Sequence, residues 1–88
     1  MIIKQLTIIN ELGLHARPAA KVVRLAAQHK SDLFVSYANA RINAKSIMGL
    51  MMLAVEKGGT IKVEIDGADE ALLMERIEQL VSDGFGER

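Results

Sequence analysis

The sequence predicts an α+β fold: an open-faced β-sandwich in which a four-stranded antiparallel sheet carries three helices on one face, in the order β-α-β-β-α-β-α. Three observations lead there. Several segments alternate apolar and polar residues with period two, the pattern of strands with one face in a core and one in water, not of a parallel sheet covered on both faces. Between them lie stretches whose apolar residues recur at helical spacing. The chain has 88 residues, 50% of them hydrophobic, enough for one core and too few for a second, so residues 1–88 read as one domain without repeat, linker or low-complexity tract.

The first strand is expected over Lys4 to Ile9, with Leu6 and Ile8 on one face and Gln5 and Thr7 on the other, followed by a turn from Asn10 to Gly13. From Ala16 to about Gln28, Ala19, Val22, Val23 and Ala26 form one helical stripe opposite Lys21, Arg24 and Gln28. Leu33, Val35 and Tyr37 alternate with Phe34 and Ser36. Ala38-Asn39 then offers a tight turn, because Asn tolerates positive φ, before a return strand from Ala40 to Asn43. Ser46 precedes the apolar run Ile47 to Ala54, which reads as a helix because methionine and leucine favour helix over strand; Gly58-Gly59 is expected to end it. Thr60 to Asp66 is the cleanest strand, Ile61, Val63 and Ile65 facing inward and Lys62, Glu64 and Asp66 outward. Gly67 breaks it. Asp69-Glu70 then place negative charge at the start of a last helix whose stripe is Leu73, Ile77, Leu80 and Val81, with Met74 beside it, ending near Gly84.

The chemistry concentrates in Gly13-Leu14-His15-Ala16-Arg17-Pro18-Ala19-Ala20, where a strand gives way to the first helix. A helix start carries backbone N–H groups with no intrahelical acceptor, and it attracts anions. His15 offers an imidazole that can accept a phosphoryl group. Arg17 offers a planar fork of donors for phosphate oxygens, and each charge-assisted bond there is worth roughly 1.5–3 kcal/mol. Gly13 permits an unusual backbone angle, and Pro18 suits a first turn where its missing N–H costs nothing; the amide donors are expected beyond it. The run reads as a phosphohistidine site. His29 has no such company and reads as an ordinary helix-end histidine favoured by the helix dipole.

This run resembles the active-site signature of the histidine-containing phosphocarrier family, HPr, of the bacterial phosphotransferase system. Lys45-Ser46-Ile47-Met48-Gly49-Leu50-Met51-Met52-Leu53 is similar to that family's second motif, and Gly58 with Gly67-Ala68-Asp69-Glu70 fits its C-terminal half, so the likeness spans the chain. The resemblance implies phosphorylation of His15 on Nδ1 by enzyme I, which draws its phosphate from phosphoenolpyruvate, and transfer to an acceptor of the enzyme IIA class, with Arg17 steadying the phosphoryl group. It implies a carrier rather than an enzyme. A regulatory member of the family's nitrogen-related branch, acting through protein binding rather than sugar uptake, is the alternative; Leu12 and the ending Ser82 to Gly86 resemble that branch.

Ser46 is by residue type a helix N-cap, and the family pattern adds phosphorylation there by HPr kinase, regulatory and not transferring. On the short helix that follows, Leu50 and Leu53 are expected inward, and Ile47, Met48 and Met51 cannot all join them. An apolar patch beside His15 is expected, adaptable through methionine and rimmed by Lys21, Arg24, Lys45 and Arg17, which would speed encounter with acidic partners.

With 11 basic and 11 acidic residues the chain is formally neutral, so bulk charge favours neither nucleic acid nor a membrane surface. No cysteine is present, which removes disulfides, thiolate metal sites and thiol nucleophiles and suits a reducing compartment. The strand-like start lacks the basic and apolar regions of a signal peptide or the length of a membrane span. A soluble, cytoplasmic monomer is expected, with no cofactor. A metal-binding module using His15 and His29 is disfavoured by their spacing.

Overall fold

A computed structural model describes residues 1–87. Its elements are β1 (Ile2–Thr7), α1 (Ala16–Ala27), β2 (Asp32–Tyr37), β3 (Ala40–Asn43), α2 (Ile47–Met52), β4 (Thr60–Asp66) and α3 (Glu70–Ser82), followed by a 3-10 turn at Gly84–Gly86. The strands form one sheet in the order β1-β4-β2-β3, antiparallel at every step. The open-faced architecture is the one the alternation predicts.

Inward-facing residues follow the predicted periods. Leu33 and Val35 on β2, and Ile61, Val63 and Ile65 on β4, meet Ala19, Val22 and Ala26 of α1, Leu50 of α2, and Leu73, Met74, Ile77 and Val81 of α3 in one buried cluster. Each large side chain so buried contributes about 1.5–3 kcal/mol relative to exposure. α1 packs against both α2 and α3, and its first turn is thereby held at one end of the helical layer.

Two boundaries and one turn residue differ from the sequence expectation. β1 runs from Ile2 to Thr7, not Lys4 to Ile9, because its partner β4 pairs Ile2 with Ile65 and Thr7 with Thr60, where that strand begins. Ile8 is buried beyond the ladder, donating to Gly59 O at 2.8 Å and accepting from Gly58 N at 2.7 Å. α2 stops at Met52, well before Gly58-Gly59, since Ala54 turns left-handed at φ 53° and sends Val55 back into the core. In the β2–β3 turn the positive φ falls on Ala38, at 54°, and not on Asn39. After α3 the tail winds through Gly84, Phe85 and Gly86, all with positive φ, and buries the Phe85 ring.

The open sheet face is not uniformly solvated. Arg41 lies 3.9 Å from the centre of the Phe34 ring and donates to Glu64 at 3.2 and 3.4 Å, with Lys62 at 3.9 Å. Glu64 points outward as predicted, yet is buried beneath this cover. The Arg41 hydrogen bond, working against desolvation, holds its carboxyl below the ordinary value.

Candidate functional site

The loop before α1 is pinned from below. Gly13 takes φ +69°, and a Cβ there would lie 2.2 Å from Val55 O. The close approach lets Leu14 donate to Val55 O at 2.9 Å while its side chain is buried. With Leu14 committed to the core, His15 emerges as the N-cap of α1, extended at φ −86° and ψ −168°. Its carbonyl accepts from Ala19 N at 2.9 Å, which closes the first turn. The amides beyond Pro18 are thus engaged. Those with no intrahelical acceptor belong to Ala16 and Arg17, ahead of the proline and next to the histidine, which corrects the sequence expectation.

The His15 side chain is about one third exposed (32%). Its Nε2 lies 2.8 Å from Glu87 Oε2. A carboxylate only accepts, so Nε2 carries the proton and Nδ1 of the neutral ring keeps its lone pair. Among the described residues no hydrogen bond reaches Nδ1. Glu87 is itself held: Asn10 Nδ2 donates to Glu87 Oε1 at 2.9 Å and to Gly13 O at 2.8 Å, from a buried position. The Glu87 carboxyl sits below its ordinary value, first through the His15 hydrogen bond, then through Asn10 and the charges of His15 and Arg17, against an opposing desolvation.

Arg17 is exposed and makes no hydrogen bond or ion pair among the described residues, so its guanidinium is available to an arriving anion. Both it and His15 line an open groove with Ile9, Leu12, Lys21 and Glu87. Lys21 Nζ donates to the carbonyl of Phe85 and fastens the tail to α1. Glu87, Asn10 and this use of Lys21 were missed by sequence reasoning. Glu87 lies 72 positions from His15, and no local pattern in the sequence pairs the two.

The second motif lies on α2. Ser46 caps it, Oγ accepting from Gly49 N at 2.9 Å, as its residue type predicts. Leu50 and Leu53 point inward, while Ile47, Met48 and Met51 are exposed, and Met52, at 79%, is the most exposed of all. Arg24, in the last turn of α1, and Lys45, whose N–H donates to Asn43 Oδ1 at 2.9 Å, are exposed as well. His29 stands apart. Its Nε2 accepts from Arg76 at 2.8 Å and its Nδ1 donates to Leu25 O at 2.8 Å, so it is a neutral link between α1 and α3 and not a cation favoured by the dipole. Among the described residues no His, Cys, Asp or Glu cluster could hold a metal ion.

A family model described as the PTS HPr component phosphorylation site matches residues 2–83. The chain belongs to the HPr family. It is 49% identical over 87 residues to the phosphocarrier protein HPr of Neisseria meningitidis, covering 99% of this chain and 98% of that one. The HPr-C-His crystal structure from Thermoanaerobacter tengcongensis superposes with a TM-score of 0.94 at 40% identity, covering 100% of this chain and 99% of the other. A structure from the same organism described as an HPr dimer gives 0.78 at 41% identity, over 93% and 94% of the two chains. HPr is a phosphocarrier of the phosphotransferase system. Among the described residues no helix of this HPr-family chain is long and apolar enough to cross a membrane.

Proposed function

We propose that the chain, as a single carrier domain, takes a phosphoryl group on His15 from phosphorylated enzyme I and passes it to an enzyme IIA domain. One observation carries the reading: Nε2 of His15 faces Glu87 Oε2, which leaves Nδ1 of the neutral ring its lone pair, at a helix start where, among the described residues, the Ala16 and Arg17 amides and the Arg17 guanidinium make no hydrogen bond or ion pair. Phosphoryl transfer asks the protein for position and charge, not for covalent chemistry beyond the nucleophile. His15 supplies the nucleophile. Arg17 and the amides of Ala16 and Arg17 meet the phosphoryl oxygens as charge moves between the leaving and attacking atoms. The chain is substrate and product of its partners, a carrier and not an enzyme.

Partners dock on the exposed face of α2, where Ile47, Met48 and Met51 are joined by Met52, with Arg24 and Lys45 at the rim to draw acidic surfaces. A phosphate placed on Ser46 by HPr kinase would set negative charge beside this patch and hinder such surfaces. Monomeric carriage in the cytoplasm completes the proposal, with the dimer described for the Thermoanaerobacter relative as the competing state.

Incubation with enzyme I and phosphoenolpyruvate tests it. One acid-labile phosphate per chain, absent from His15→Ala, is the expected result. Absence of uptake by the unaltered chain would refute the carrier role.

A further inference from the structure

Glu87 reaches His15 along a path with three fixings, each independent of the histidine. Phe85 is buried in the core, Lys21 Nζ holds the Phe85 carbonyl, and Asn10 Nδ2 bridges Gly13 O to Glu87 Oε1. The carboxylate's second oxygen is thereby delivered to Nε2 at 2.8 Å. A surface glutamate pairing by chance with a nearby ring would need none of this support.

We propose that Glu87 is a positioning residue which keeps a proton on Nε2 of His15 throughout the phosphoryl cycle. The inference rests on the carrier reading and deepens it. A neutral imidazole has one N–H to divide between two nitrogens, and a carboxylate at Nε2 commits it there. The Nδ1 lone pair then attacks phosphorus, and the donor's bond to phosphorus breaks with its electron pair returning to the donor. The product ring bears Nδ1–P and Nε2–H and is a cation, which the adjoining carboxylate stabilises. In onward transfer the Nδ1–P bond breaks, its electron pair stays on Nδ1, and the ring departs as neutral imidazole with Nε2–H intact. No proton need enter or leave. Without the carboxylate the phosphorylated ring would shed its Nε2 proton more readily, and its departure would then require imidazolate as leaving group.

Among the described residues the other charged groups around the ring do not supply this service. Arg17 and Lys21 of α1 are cations and oppose a positive ring. Glu11, also on the groove, is paired with Lys57. The low-lying carboxyl of Glu87 agrees with its staying ionised near neutral pH.

The test uses the full chain labelled with 15N, unaltered and as Glu87→Gln, which keeps the shape and removes the charge. Ring 15N shifts of the unphosphorylated unaltered chain are expected to show the Nε2–H tautomer; the Nδ1–H form there would overturn the proposal without recourse to any variant. After phosphorylation by enzyme I and phosphoenolpyruvate, Nε2 is expected to lose its proton about one pH unit lower in Glu87→Gln, with the pH profile of phosphate loss moving by the same amount. Coincident profiles for the two proteins would overturn it. Failure of the unaltered chain to take phosphate at all would instead refute the carrier reading, leaving the tautomer measurement to judge Glu87.

Discussion

Substituting Gly13 by alanine tests whether the packing under the loop is what presents His15. At φ +69° an L side chain sits in the left-handed region, a strain of about 1–2 kcal/mol. The new Cβ would also stand 2.2 Å from Val55 O and 2.9 Å from Glu56 Cα, both backbone atoms that cannot rotate aside. Relief requires the loop to lift off Val55, breaking the 2.9 Å bond from Leu14 N at about 0.5–1.5 kcal/mol and drawing the buried Leu14 part-way into solvent. Together these come to about 3 kcal/mol, a large share of the roughly 5–15 kcal/mol that holds a small domain folded. Urea denaturation followed by circular dichroism measures the loss, and phosphate uptake from enzyme I, assayed under conditions where the variant stays folded, measures the displacement of His15. A loss below about 1 kcal/mol with uptake unchanged would show that the loop yields freely and that its support from Val55 does not place the histidine.

Two further outcomes follow from named contacts. Asp69 accepts from Ser31 Oγ, Ser31 N and Lys30 N, and these bonds, the Ser31 hydroxyl foremost, bring its carboxyl down from 3.8 to about 2. A depressed folded value means stability present above pH 3.8 and lost as pH falls towards about 2; Asp69→Asn is expected to flatten that part of the acid denaturation curve, and an unchanged slope would discount the contacts. Arg17→Ala removes a charge-assisted bond worth roughly 1.5–3 kcal/mol, so phosphoryl transfer timed by rapid quench should slow roughly ten- to a hundredfold, whereas an equal rate would leave the guanidinium without a part in the transfer.

The strands and helices could be read because their causes are local. Period-two alternation from Thr60 to Asp66 and the stripe of Ala19, Val22 and Ala26 each demand one face in a core, whichever core it is. Ser46 is a cap by the reach of its own hydroxyl to Gly49 N three residues on. The errors fall where a distant partner overrules local preference. α2 ends early because Val55 is needed under Leu14, its carbonyl accepting from Leu14 N. Glu64 reads as a solvated outward residue, and only the pairing of β2 with both β3 and β4 brings Arg41 and Phe34 over it.

The candidate site divides along the same line. Residues 13 to 18 hold the proposed nucleophile, the proposed anion clamp and the helix start between them, because neighbouring residues in a chain must be neighbours in space. The contact between His15 Nε2 and Glu87 joins residues 72 positions apart, and no spacing in the chain encodes that meeting. It exists because burial of Phe85 and the hydrogen bond from Lys21 turn the tail back across the start of α1, a consequence of packing that only the folded molecule contains.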